Sequence, residues 1–504
     1  MSTKNKQTTI NFYTNIAALG ANIVAGIYYT PYLVNSLGLA AYGVLPLALI
    51  INQYISVATQ TLTHSYTRFY SVALQKGDYE EASKTISTSF VVVLLISLLL
   101  APIGVGIIIN IDNLFQIPSG LLGSARLLFA YSMLSFVVSL VSSLLNVTLY
   151  ATNRLDLMNV LKIVRTGLKL PMVILFFEIV SVNVSFVGLS NLIAEVIILL
   201  VSSFFFFKFK PPAVRISLSL FDKVILVSIL GMSAWVLIHL CGDTLLYRTD
   251  NIIVNHYWGS ESSGALGAVS ELGAYVSVVV SVIGSLFGPL ILKSYAQGNH
   301  TEVKSLFIEQ STIVGCLSAV LAGTISGCAV PLLNTWLGNG MGQYSWWLIV
   351  KMVVLPFYAA GGIMALVYRS WNKVKFPALG TIALGIIDIA VLVGICEIFK
   401  PADALPVLVV GAVFSYLQCF VLNVVAVCNI YKDCRKKSLF IFLKIAACFG
   451  ACFVFSDMVT SCFNVPNLMA MAIVFILLCL CMLLFMTFVI LNKDERTKLF
   501  VIIK

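Results

Sequence analysis

The feature that most constrains this chain is a near-unbroken succession of apolar stretches, each of the roughly 20 residues a helix needs to cross the hydrocarbon core of a bilayer. Fourteen run near 11–35, 44–69, 85–110, 124–150, 157–179, 186–207, 228–257, 264–292, 304–334, 344–369, 376–398, 405–430, 439–460 and 467–491. Of the 504 residues, 60% are hydrophobic and only 10% charged, where a soluble domain would carry about 25% charged residues. In lipid each backbone N–H and C=O must be satisfied internally, so spans of this length fold as helices. The expected fold class is an all-α integral membrane protein with 14 transmembrane helices. No link exceeds about twenty residues, which leaves no room for a soluble catalytic domain. There is no GxxxxGK phosphate loop, HExxH or nucleophile elbow, so the chain reads as a non-enzyme and not as an ATP-driven pump.

Charge sets the orientation. The net charge of +10 lies in alternate links. One set holds Lys4, Lys6, Arg68, Lys76, Lys84, Arg154, Lys208, Lys210, Arg215, Lys223, Lys293, Lys304, Arg369, Lys373 and Lys375, and continues with the runs at 432–437 and 493–504. The other set carries Asp112, Glu178, Glu261, Glu397, Asp403 and Asp457, with little basic character beyond Lys400 and Arg126. Lys and Arg stay on the cytoplasmic side, which places both termini there, as an even span count requires. The first span is long and polar-speckled, and is expected to be retained rather than cleaved. All 12 cysteines fall from Cys241 onward, without a CxxC pair or a histidine cluster. They read as small buried hydrophobes, and neither a metal site nor a cofactor is expected.

An internal repeat is visible at the span junctions. Gly38, Gly43, Gly77 and Glu81 recur as Gly259, Gly264, Gly298 and Glu302, at a constant shift of 221 residues from Gly38 to Gly259. Tyr150, Asn153 and Arg154 resemble Tyr368, Asn372 and Lys373 at a slightly shorter shift. The expected organisation is an N-terminal lobe over 1–210 (spans 1–6) and a C-terminal lobe over 211–435 (spans 7–12) with its cytoplasmic linker. Residues 436–504 then hold two extra helices and a tail. Six is even, so the lobes would share orientation as a parallel repeat.

Within the spans, polar residues line up on helical faces. In GMSAWVLIHLCGDTLLYRTDNIIVNHYWG (231–259), His239, Asp243, Tyr247 and Asp250 fall within an arc of about 80°, while Arg248 projects elsewhere. A charge at mid-bilayer costs at least about 2.5–3.5 kcal/mol, so such groups face a protein interior or a watery cavity. Asp243 reads as lumen-facing; Arg248 and Asp250 fit either the lumen or the membrane edge. Asn22 matches Asp243 under the repeat. The second span carries Gln53, Gln60, His64 and Arg68 on one face, with Arg68 also fitting a topology anchor. The fifth carries Asn159, Lys162, Arg165 and Lys169 within about 120°. Lys162 and Arg165 can be read as snorkelling flanks, but Lys169 lies about two turns deeper, which points to an entrance for an anionic head group. The fourth span's row of Ser132, Ser135, Ser139, Ser142 and Asn146 reads as close helix packing. Glu195, Glu271, Lys351 and Asp388 complete the intramembrane charges. Lys351 follows Trp346–Trp347 and can reach the outer surface. Glu195 and Asp388 either pair with lumen cations or bind the H+ or Na+ that powers a cycle.

The chain resembles the polysaccharide-transporter branch of the multidrug/oligosaccharidyl-lipid/polysaccharide exporter superfamily, the Wzx-type flippases. The resemblance runs over the whole length and is carried by NSLGLAAYGVLPL, RFYSVALQKGDYEEASK, YATNRLDLMNV and RTDNIIVNHYWG…GALGAVSELGAY. It implies two six-helix lobes around a central cavity and a bacterial cytoplasmic (inner) membrane location. The cargo it implies is an undecaprenyl-pyrophosphate-linked oligosaccharide, moved by alternating access for O-antigen, capsule or related polysaccharide assembly, with polymerase or assembly proteins as partners. The cationic lumen it implies would use His64, Arg68, Lys162, Arg165, Lys169, Arg248 and Lys351. Ion coupling would use Glu195, Asp243 or Asp388, with Asn22, Gln53, Gln60 and His239 as polar lining. Related lipid II flippases have an arginine-rich first helix; here it holds Asn11, Asn15 and Asn22, which argues against that cargo. A cation-coupled multidrug antiporter of the same fold is the alternative, and a membrane polysaccharide polymerase or ligase fits less well because the outer loops are short.

Overall fold

The computed structural model describes residues 3–285, 291, 294–295, 297–371, 373–432, 434–463, 467–493 and 495–497. Among them there is no β-strand. The long helices are α1 (Thr3–Leu37), α2 (Val44–Lys76), α3 (Tyr79–Ile109), α4 (Leu122–Leu145), α5 (Leu155–Ile179) and α6 (Val184–Phe209). Next comes Lys223–Ser285, which Gly259 (φ 80°) breaks into α7 (223–258) and α8 (260–285). After it follow α9 (His300–Gly327), α10 (Ser345–Ser370), α11 (Lys375–Phe399), α12 (Leu405–Tyr416), α13 (Cys434–Cys462) and α14 (Leu468–Phe485). Wider π turns extend α12 over Leu417–Leu422 and α14 over Met486–Ile490. Among the described residues, eleven helices are long and apolar enough to cross a membrane, the stretch Leu237–Ser281 across Gly259 being taken as one. This is the build of a multi-pass integral membrane protein.

The chain divides into two compact units, Met1–Thr244 with Val254–Gly264, and Leu245–Ile253 with Ala265–Lys504. In the first, α4 packs along α6, α1 along α5, and α5 along α6. Lipid offers no hydrophobic drive between helices, so small residues set their approach. Ser132, Ser135 and Ser142 of α4 are buried, and the hydroxyls of Ser135 and Ser142 are returned to their own helix. Gly188 of α6 lies against Leu128 and Tyr131. In the second unit, α9 packs on α10 and α13. Gly315, Ala319, Gly323 and Gly327 stand four residues apart on α9, and a Cβ at Gly323 would lie 2.8 Å from the Phe449 carbonyl oxygen of α13. The face is small because the neighbouring backbone occupies it.

The repeat is written into the backbone. Gly38 and Gly259 have φ of 78° and 80°, and Gly77 and Gly298 have 75° and 74°, a region where only glycine sits without cost. Gly77 N–H donates to Leu74 O, Asp78 to Ala73 and Ala82 to Asp78; Gly298, Asn299 and Val303 repeat these bonds to Tyr295, Ser294 and Asn299. Asp78 and Asn299 then accept from the N–H of Glu81 and Glu302 at 2.8 and 3.1 Å, capping α3 and α9 in the same way. Gly43 and Gly264 face each other: a Cβ on Gly43 would lie 2.8 Å from Gly264 N, and one on Gly264 3.1 Å from Gly43 N.

Two further contacts lock the first unit. The link before α7 is stitched to α3 through Arg215 N–H to Ser83 Oγ (3.0 Å), Ser217 N–H to Ser87 Oγ (3.1 Å) and Asp222 N–H to Thr88 Oγ1 (2.9 Å). At the start of α5, Asp156 accepts two bonds of 3.0 Å from Arg154 and one of 2.9 Å from Gln7. Buried Asn11 of α1 bonds Asn153 and the Asp156 N–H. Burial pushes the Asp156 carboxyl up, but the hydrogen bonds and charge of Arg154 outweigh this and hold it below the usual carboxylate range. A depressed carboxyl contributes stability above its unfolded value of about 4 and loses it as pH falls through the lower folded value. Asp156→Asn is therefore expected to cost about 1–2 kcal/mol near pH 7, the pair being part-exposed. In thermal melts across pH, the gap to wild type should close as pH falls below the ordinary carboxylate range.

Candidate functional site

Helix α5 carries the cations. Asn159, Lys162, Arg165 and Lys169 share a face because steps of three and four residues return to the same side of a helix. Asn159 is buried and donates to Asn11 O (3.4 Å) and Thr14 Oγ1 (3.2 Å), which turns this face toward α1 at its start. Lys162 Nζ reaches Asn159 Oδ1 at 3.4 Å and is otherwise exposed. One turn on, Arg165 Nε stands 2.9 Å from Glu195 Oε1 of α6. The Glu195 side chain is 8% exposed and that of Arg165 33%. Lys169 is within electrostatic reach of both Arg165 and Glu195. The structure thus brings three of the cations read from sequence, and one of the acids, to one place in the first unit. Arg165 and Lys169 face one carboxylate with Lys162 one turn away, a surplus of positive charge at a position where lipid would penalise each group.

A second cluster lies in the other unit. Lys351 of α10 is bonded to Asp250 Oδ2 of α7, and both act electrostatically on Asp388 of α11. Asp388 is 0% exposed, and neither of its carboxylate oxygens meets a hydrogen-bond partner among the described residues. Gly411 of α12 leaves the room: a Cβ there would stand 3.2 Å from Asp250 Oδ1. Beside it, Tyr247 donates to Gln418 Oε1 at 2.9 Å, and Gln418 donates to Thr381. Removing one partner of a buried ion pair leaves the other uncompensated, at about 3–5 kcal/mol. Lys351→Met is expected to lower stability by about that amount, and adding Asp250→Asn to recover most of it, both read by thermal unfolding in detergent.

The remaining predicted residues are dispersed. His239 and Asp243 of α7 stand 3.6 Å apart, one turn from each other. Arg248 is exposed and acts on Glu271 of α8. Arg68 of α2 and Asn22 of α1 are exposed, and Gln53 is half-buried. The side chains of Gln60 and His64 lie outside the described residues. Among the described residues no three His, Cys, Asp or Glu groups assemble into a metal site. Sequence reasoning left Asp250 open between the lumen and the membrane edge, and did not find its pairing with Lys351. The available signal was a second intramembrane acid, Asp388, also in need of a cation.

These helices and their order match known transporters. The structure superposes on an inward-facing multidrug resistance MATE family transporter of the MOP superfamily with a TM-score of 0.69 and 13% identity, covering 83% of this chain and 98% of that one. It superposes on the lipid II flippase MurJ with a TM-score of 0.61 and 14% identity, covering 94% and 97%. The fold is that of MATE and MurJ transporters. In sequence, the chain is 26% identical over 400 residues to the uncharacterized membrane protein EpsK of Bacillus subtilis (strain 168), covering 76% of each. No family model matches the chain. On this MATE- and MurJ-like frame, the first unit's cationic face and the second unit's acidic cluster are two places where ionisable groups inside the spans stand in close company.

Proposed function

We propose that the protein is a Wzx-type flippase of the bacterial cytoplasmic membrane. It would carry undecaprenyl-pyrophosphate-linked oligosaccharide from the inner to the outer leaflet by alternating access, for O-antigen, capsule or related polysaccharide assembly. The observation that supports this most is the stripe of Lys162, Arg165 and Lys169, which keeps a surplus of positive charge inside a span. A diphosphate is a dense dianion, and Arg and Lys are its usual partners. His64, Arg68, Arg248 and Lys351 are the further positives in this reading, and Asp243, Asp388 and Glu195 the carriers of a coupling H+ or Na+. Both termini are cytoplasmic in it, and α2, α5 and the separate counting of α7 and α8 raise the eleven apolar spans to fourteen. The two lobes are 1–210 and 211–435, with 436–504 as the added pair.

Deleting the gene in its host is the direct test. Lipid-linked oligosaccharide is expected to accumulate on the inner leaflet while surface polymer falls, both restored by the wild-type chain. Unchanged surface polymer in the deletion would overturn the reading. The second unit favours one rival, a cation-coupled multidrug antiporter, because two carboxylates there face one ammonium. That rival requires the same deletion to sensitise cells to cationic drugs and leave the polymer intact.

A further inference from the structure

We propose that Glu195 is a proton-switched stand-in for the anionic cargo: it holds Arg165 while no cargo is bound, and takes up a proton when a diphosphate head arrives. The inference rests on the reading that such a head group meets α5. Three features of the pair point to it. Arg165 Nε is 2.9 Å from Glu195 Oε1, yet its N–H is not aimed into a hydrogen bond. Neither Nη of Arg165 bonds a described residue, so the forked outer edge that matches phosphate oxygens is left available on a side chain one-third exposed. Glu195 Oε2 is buried without a hydrogen bond to a described residue, and the cations beside the carboxylate are Arg165 and Lys169.

Charge then dictates the exchange. Arg165 and Lys169 are the cations in reach of Glu195; Lys162 is exposed and bonded to Asn159. Among the groups on the other elements packed against α6, Tyr131 of α4 sits at Gly188, about two turns from Glu195. Arg126 lies further along α4, and Tyr150 lies on the short helix Val147–Ala151. Two cations and one carboxylate leave one positive charge. A dianion turns this into one negative charge at a place shielded from water, and a proton on Glu195 brings it back to zero. Like charges within about 4–6 Å disfavour each other's ionised form, so loading the head group should draw a proton from solvent onto Glu195. Release of the head group would return that proton to solvent.

The test uses the full-length protein in detergent and a short-chain prenyl-diphospho-N-acetylglucosamine. This diphosphate diester keeps its two charges between about pH 5 and pH 9. Titration calorimetry in buffers of different ionisation enthalpy counts protons. Near pH 8, wild type should take up about one proton per ligand, and its affinity should rise toward tenfold per unit of falling pH. Glu195→Gln should take up none, bind about tenfold or more tightly than wild type at pH 8, and lose the pH dependence. Glu195→Asp, which keeps the charge, should keep the uptake. Binding by wild type without proton uptake overturns the role of Glu195, and that result stands even if Glu195→Gln fails to accumulate. The cargo reading fails differently. If the ligand does not bind wild type, or binds Arg165→Ala/Lys169→Ala with unaltered affinity, the anion site on α5 is wrong and the stand-in goes with it.

Discussion

Replacing Arg165 and Lys169 together by alanine is expected to cut export of lipid-linked oligosaccharide at least about 100-fold. A hydrogen bond to a charged group contributes about 1.5–3 kcal/mol, and two of them lost from one diphosphate amount to roughly two to four decades of affinity. Lys162→Ala should do much less, because Lys162 is exposed and already bonded to Asn159. Removing Arg165 also strips Glu195 of its counter-charge, so the double variant has a fold to lose as well as a function. The triple variant with Glu195→Gln separates the two: it should restore protein levels in the membrane and leave export down. Surface polymer and immunoblotted protein are read side by side. Normal export at normal protein level in the double variant would remove the anion site from α5.

Alanine at Gly43 or at Gly264 is expected to be among the most damaging single-methyl changes at the described glycines. The new Cβ at Gly43 would run into the Ser260 carbonyl and stand 2.8 Å from Gly264 N; at Gly264 it would run into Leu39 O and stand 3.1 Å from Gly43 N. These obstacles are backbone, so no rotamer change relieves them, and the two junctions must move apart. Overpacking of this kind costs about 3 kcal/mol. The two substitutions should not add, since the first already opens the gap the second would need. Gly106→Ala in α3 is the control: a Cβ there meets nothing within 4 Å, and a helix gains about 0.5–1 kcal/mol from that exchange. Thermal midpoints in detergent decide it, and equal midpoints for Gly43→Ala and wild type would show that the contact carries no stability.

What could be read from sequence was whatever depends on neighbours in the chain. The apolar spans follow from hydropathy, and the α5 stripe follows from helical spacing. The glycines at 38, 77, 259 and 298 were visible as letters recurring at one shift, and the structure supplies their reason, a matched positive φ at each pair. What could not be read was partner choice over distance. Lys351 and Asp250 are 101 positions apart, and their joint placement beside Asp388 depends on how α7, α10 and α11 converge. Spacing shows that Glu195 lies mid-span but not that it faces Arg165 rather than lipid. The clamp of Asn11 on Asn153 and Asp156 was equally silent, because an asparagine in an apolar helix fits packing, capping and lining alike.

The two matched turns at 77–82 and 298–303 carry a final implication. GDYEEA and GNHTEV make the same backbone bonds from different letters, with glycine first and the capping Asp78 or Asn299 second. Shape therefore binds only those two places and leaves the other four free to differ. Three of the four have differed, glutamate being kept at the fifth: one turn presents Asp78, Glu80 and Glu81, the other Glu302 and a neighbouring His300. One backbone form thus carries three carboxylates in the first turn and one beside a histidine in the second, so the two copies differ in charge and not in shape.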